Sequence, residues 1–250
     1  MLPLRRRWPV VILLIYVVSQ AHAWAPETRV RMTDEAIRFM PPSLRLALEN
    51  HRADLLRGVL APMKTEDGPE HRVTAGGTLD GSVAAEAAKL LAMLQEQTPF
   101  SRIAEQLGRL AHFVYDTGFP PGVGADGDKR YQHFAEFCED RRERFPLVFY
   151  GHDNEALAKQ DYRGYALETI ERAMQSDQQL AYAYERHAEN AHASSFDDRS
   201  VPFAIGSLSY SHSVNDVVRV WLTVWENAPG DMGRTPYREP SKTQPPGRPE

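Results

Sequence analysis

Apolar side chains recur along this chain at helical spacing, and the two-residue alternation of a half-buried strand is nearly absent. The cleanest stripe is Ile103, Leu107, Leu110 and Val114. Ser101 is positioned to cap that helix, and Gly118 and Pro120 to end it. Leu44, Leu48, His51 and Leu55 share one face of a helix opened by Pro42, and Val83, Ala87, Leu90 and Leu94 share a face behind a Ser82 cap. Thr33 reads as a cap with Asp34 and Glu35 at the positive end of its helix. Asp128 reads as the cap of a helix bearing Tyr131, Phe134 and Cys138. Two helices are predicted over about 161–175 and 178–193. A last one starts near Pro202 and carries Val214, Val218, Trp221 and Trp225. The glycines and prolines of 61–81 predict a loop, and Pro146–Tyr150 is too short to count as a strand. The expected fold class is all-α, a multi-helix domain.

The two ends differ from this pattern. Arg5–Arg7, the nine apolar residues Val10–Val18 and the small residues around Ala21-His22-Ala23 form a signal-peptide pattern over 1–23. An apolar run of that length is far short of the roughly 20 residues that span a bilayer. No other segment is long and apolar enough, so no stable transmembrane anchor is expected. Cleavage after Ala23 would make Trp24 the first residue of an exported protein, periplasmic or secreted. From Pro229 to Glu250 six of 22 residues are proline and few are bulky and apolar, which predicts a disordered tail at 229–250. The working domain is therefore 24–228.

Without residues 1–23 the chain has 26 basic and 34 acidic side chains, a formal charge of −8. That balance opposes strong non-specific nucleic-acid binding, which needs Lys and Arg to neutralise phosphates. Cys138 is the only cysteine, so no internal disulfide can form. A metal is another source of cross-linking.

The candidate chemistry centres on His112 and Asp116. They are four apart on the helix with the clean stripe, on one face, and can share an ion. The plain alternative is a solvated ion pair worth a few tenths of a kcal/mol. Gly122-Val123-Gly124-Ala125-Asp126-Gly127 fits a dinucleotide-binding pattern but follows two prolines rather than a strand, so it lacks the required context.

The string Leu107 to Asp116, followed by Pro120, resembles the His-x-x-x-Asp helix of the zinc-dependent phospholipase C family, whose fold fungal single-strand-specific nucleases share. Arg57-Gly58-Val59-Leu60-Ala61-Pro62 resembles that family's Gly-x-x-x-Pro segment, Tyr131–Asp140 a ligand-bearing helix, and 203–226 its closing helix. Trp24 falls at the family's mature N-terminal tryptophan.

This resemblance implies three zinc ions held by the terminal tryptophan with His, Asp and Glu side chains. Trp24, His71, His112, Asp116 and Glu136 match that set. Arg29 replaces a histidine, Met63 an aspartate, Gly122 a histidine, and Gln132 the histidine four before Glu136. Asp67 and His133 lie near missing ligands and are candidate substitutes. His71, His112 and Asp116 keep three of four ligands of one site, enough for an open zinc site, so one Zn2+ is expected. Arg29 could instead pair with Asp116 and displace a metal altogether. The implied function is an exported phosphoester hydrolase with a reduced zinc site, acting on a phospholipid or other phosphodiester. The alternative is a non-catalytic family member that keeps the fold for binding or structure. The sequence assigns no catalytic residue beyond these ligands.

Overall fold

The computed structural model describes residues 23–65, 68–73, 76–123, 129–186 and 196–238. Among them the chain is helical and contains no strand. The elements are α1 (Pro26–Ile37), α2 (Pro42–Asn50), α3 (Arg52–Leu60), α4 (Leu79–Gln95), α5 (Phe100–Thr117), α6 (Lys129–Arg141), α7 (Glu155–Ala158), α8 (Tyr162–Glu185) and α9 (Val201–Asn227). Short 3₁₀ turns link several of them, including Pro69–His71. No helix of the described residues is long and apolar enough to cross a membrane.

Helix α5 is the axis of the domain. It touches α1, α3, α4, α8 and α9. Its stripe Ile103, Leu107, Leu110 and Val114 is buried as expected. The opposite side is buried as well, including Gln106, His112 and Asp116. The polar pair therefore faces a second layer of protein rather than solvent, which removes the solvated-pair reading. Trp221 of α9 is fully buried, and its Nε1–H donates to the Leu107 carbonyl at 3.1 Å.

The tightest crossing is α3 on α5. A Cβ built on Gly58 would lie 1.9 Å from the Glu105 carbonyl oxygen, and one on Gly108 2.0 Å from the Leu55 carbonyl oxygen. Only glycine at both positions lets the two backbones meet. Helices α8 and α9 are joined by polar groups instead. Tyr165 Oη donates to Asp216 Oδ1 at 2.7 Å, and Arg172 pairs with Oδ2 of the same fully buried carboxylate.

An extended stretch after Phe145 lies along α9 and takes its main-chain bonds from side chains. Ser211 Oγ donates to the Pro146 carbonyl and accepts from Val148 N–H. Asn215 bonds Val148 O and Tyr150 N–H. Arg219 donates to Tyr150 O and Gly151 O.

Several boundaries differ from the sequence reading. Thr33 lies inside α1, whose first turn holds Pro26; its hydroxyl donates to Arg29 O. The stripe through Leu44 and Leu55 is two helices, broken where His51 leaves helical geometry (φ −111°, ψ 26°). Helix α4 begins at Leu79 behind Thr78, with Ser82 inside it. Pro99, not Ser101, precedes α5. The pair predicted over 161–193 is continuous as α8 to Glu185, because nothing between 175 and 178 breaks a helix. Residues 187–195 lie outside the described residues, as do Asp128 and 1–22 of the signal-peptide pattern. Of the stretch assigned to the tail, 229–238 is described and packs on the domain. Trp225 Nε1–H donates to Asp231 O, His152 Nε2 meets Pro236 O, and Tyr237 packs against Phe39 and Phe149. Residues 239–250 lie outside the described residues.

Candidate metal centre

The 3₁₀ turn Pro69–His71 brings His71 onto α5, against His112 and Asp116, so segments about 40 residues apart in the chain form one buried group. Their ligand atoms all lie within 4.8 Å of one another, and the group could hold a metal ion. His71 Nδ1 is 2.7 Å from Asp116 Oδ2, His112 Nε2 is 3.2 Å from the same oxygen, and the two nitrogens are 3.3 Å apart. These three atoms lie on a circle of radius about 1.8 Å, just inside zinc-to-ligand bond lengths of about 2.0–2.2 Å. The donor set of two imidazole nitrogens and one carboxylate oxygen suits a borderline cation such as zinc better than Mg2+ or Ca2+. The residues fit one ion.

The other carboxylate oxygen is taken. Arg29 is fully buried, and its Nη2 donates to Asp116 Oδ1 at 2.6 Å. Its Nη1 donates to the His112 carbonyl at 3.2 Å, and its Nε donates to the Trp24 carbonyl at 2.8 Å. The guanidinium thus bridges the residue pair just before α1 and the C-terminal end of α5. It covers one side of Asp116 and leaves Oδ2 to the two imidazoles.

Electrostatics follow from this burial. Desolvation alone would raise the Asp116 pKa. Arg29, then His112 and His71, outweigh it and hold the carboxyl well below its usual range. Burial pushes the His112 pKa down, seconded by Arg29 and opposed by Asp116, so the ring is neutral at pH 7. The Arg29 guanidinium thus sits against the ionised Asp116 carboxylate, with both imidazoles on its other oxygen. Among the described residues His71 Nε2 is buried without a hydrogen-bond partner, and the ring stacks on Phe113 with centroids 5.0 Å apart. Tyr131 packs edge-on against Phe119, which in turn packs on Trp24; burial, with Asp116, raises the Tyr131 phenol pKa.

Of the weaker candidates, those among the described residues are not in this group. Trp24 is fully buried, and its carbonyl serves Arg29. His133 Nδ1 bonds the Tyr184 hydroxyl at 2.6 Å, and its ring packs on Phe196. Glu136 is exposed on α6. Neither is in the His71–His112–Asp116 group. Asp67 lies outside the described residues. The sequence reading gave no role to the Val59 carbonyl, 2.7 Å from His112 Nδ1, or to Gly58 and Gly108, which let it approach. Both glycines sit in the quoted motifs, but a main-chain ligand leaves no trace in side-chain spacing.

What fold and site define together is an all-α domain with a buried His–His–Asp group capped by an arginine. No protein-family model matches the chain, and no curated protein matches its sequence.

Proposed function

We propose that this domain is a zinc-dependent phospholipase C-like phosphoester hydrolase reduced to one divalent ion, held by His71, His112 and Asp116. The observation that carries this reading is the convergence of three donor atoms from two chain segments on one point. A bound ion would supply Lewis acidity, polarising a phosphoryl oxygen and making water more acidic. His112 and His71 would offer neutral nitrogens, and Asp116 the one negative charge. Arg29 would hold Asp116 ionised and fix its rotamer through Oδ1. The resemblance to the family implies a further ion held by Trp24 and Asp116, and here Arg29 bonds the Trp24 carbonyl and Asp116 Oδ1 instead. That contact supports a single ion among the described residues.

A second reading has its own support. Without any metal, His71 Nδ1–H can serve both Asp116 Oδ2 and His112 Nε2, and Arg29 serves Oδ1. The group then closes as a hydrogen-bonded cross-link of a non-catalytic protein. Metal analysis and hydrolysis of a chromogenic phosphodiester separate the two. One zinc per chain, with hydrolysis lost in chelator and in His112→Ala, supports the enzyme. A folded chain with neither supports the cross-link, and two or more ions refute both. Export is part of the proposal, with the 1–23 pattern as its support, and an exported form beginning at Trp24 is the expected result of N-terminal sequencing.

A further inference from the structure

We infer that the Gly58–Gly108 crossing is a positioning device: it delivers the Val59 carbonyl to His112 and so fixes which ring nitrogen faces the centre. Val59 lies in the last turn of α3, where a helix runs out of its own amide donors for carbonyls. With side chains at 58 or 108 the helices would be forced apart, since either Cβ would overlap a backbone carbonyl. With glycine at both, the Val59 oxygen comes to 2.7 Å from His112 Nδ1.

A carbonyl only accepts, so Nδ1 must carry the proton. Arg29 Nη1 also lies 3.2 Å from Nδ1, but a donor there needs a bare nitrogen, which would set two acceptors against each other at 2.7 Å. Arg29 has the His112 carbonyl as its acceptor instead. With its proton on Nδ1, the neutral form of the ring presents Nε2 as a lone pair beside His71 Nδ1 and Asp116 Oδ2. Metal-ligating histidines are oriented in this way by a partner on the far nitrogen. The tautomer follows from the Val59 contact alone, and only its consequence for metal affinity rests on the proposed function.

The test is a long-range 1H–15N spectrum of the imidazoles of the full-length protein in chelator. His112 is expected with a protonated Nδ1 and a bare Nε2. A bare Nδ1, with the ring's proton on Nε2, overturns the inference. Gly58→Ala and Gly108→Ala are expected to weaken zinc binding by about 10–100-fold, the range for losing an orienting partner, and to shift the Nδ1–H signal. A folded variant with both unchanged overturns the inference, and if neither variant folds the wild-type spectrum decides. A protein that binds no zinc but shows the Nδ1–H tautomer refutes the metal reading and upholds this one.

Discussion

Replacing Arg29 by methionine should move stability and metal affinity in opposite directions. The substitution keeps much of the stem's volume and deletes a buried charge that donates to Asp116, the His112 carbonyl and the Trp24 carbonyl. It leaves an ionised carboxylate buried without its cation. Breaking a buried pair from one side costs about 3–5 kcal/mol. For a domain of this size that is a fall in Tm of roughly 6–20 °C. Zinc binding should respond the other way. Nη2 is 2.6 Å from Oδ1, so the guanidinium and a cation on Oδ2 would be within about 5 Å, where unit charges repel by roughly 3 kcal/mol at an effective dielectric constant near 20. Recovering half of that makes binding about tenfold tighter. Thermal unfolding in chelator and zinc competition against a chromophoric chelator give the two numbers. If Arg29→Met is as stable as wild type in chelator, the guanidinium is not what holds Asp116 ionised. If it binds zinc no more tightly, the centre does not lie on the Oδ2 side.

Three further outcomes follow from other contacts. His112, His152 and His212 all have pKa values lowered by burial, so each is held neutral in the fold. Their contribution is complete above the unfolded pKa of about 6.5 and is lost as pH falls through it toward the folded values. Asp116 adds a further loss below about pH 4. Urea midpoints should therefore fall from pH 7 to pH 5, and a flat profile contradicts the burial argument. Asp216→Ala should destabilise at or below the lower end of about 3–5 kcal/mol, because Arg172 is about a third exposed and can turn to water while the Tyr165 hydroxyl cannot. Denaturant unfolding measures this, and a loss under about 1 kcal/mol argues against the α8–α9 tie. Arg219→Ala removes the donors to Tyr150 O and Gly151 O, and limited proteolysis should then cut near 148–152 before any other described segment.

The helical class was legible because α5 and α9 carry long periodic stripes, which tertiary packing reinforces. Boundaries were less legible where a rival cap stood one turn away. Thr33 and Ser82 have the chemistry of caps but spend their hydroxyls on carbonyls four residues back, inside helices begun by Pro26 and Leu79. The break at His51 could not be read from its apolar stripe, because two consecutive helices preserved the spacing. At the candidate centre, His112 and Asp116 were visible as an i, i+4 pair. His71 came in through the family resemblance alone, since nothing local in the glycine-rich stretch marks it. The Arg29 contact was foreseen as an alternative to metal, and the structure keeps both possibilities on different oxygens of one carboxylate. Glu136 and His133 fell away because α6 turns them outward and toward Tyr184.

The docking of residues 146–151 on α9 has a metric origin. Four residues of α-helix advance about 6.0 Å, and two residues of extended chain about 6.6 Å. Ser211, Asn215 and Arg219 can therefore act as rungs of a ladder whose other rail is not a strand. The two repeats drift apart by about 0.6 Å per rung, and a hydrogen bond tolerates only a few tenths of an ångström of stretch. Flexible side chains absorb the drift for a while, and the longest of the three stands at the end. Such a splint is self-limiting: it fastens half a dozen residues and releases the chain at Gly151, where φ of +87° turns it away.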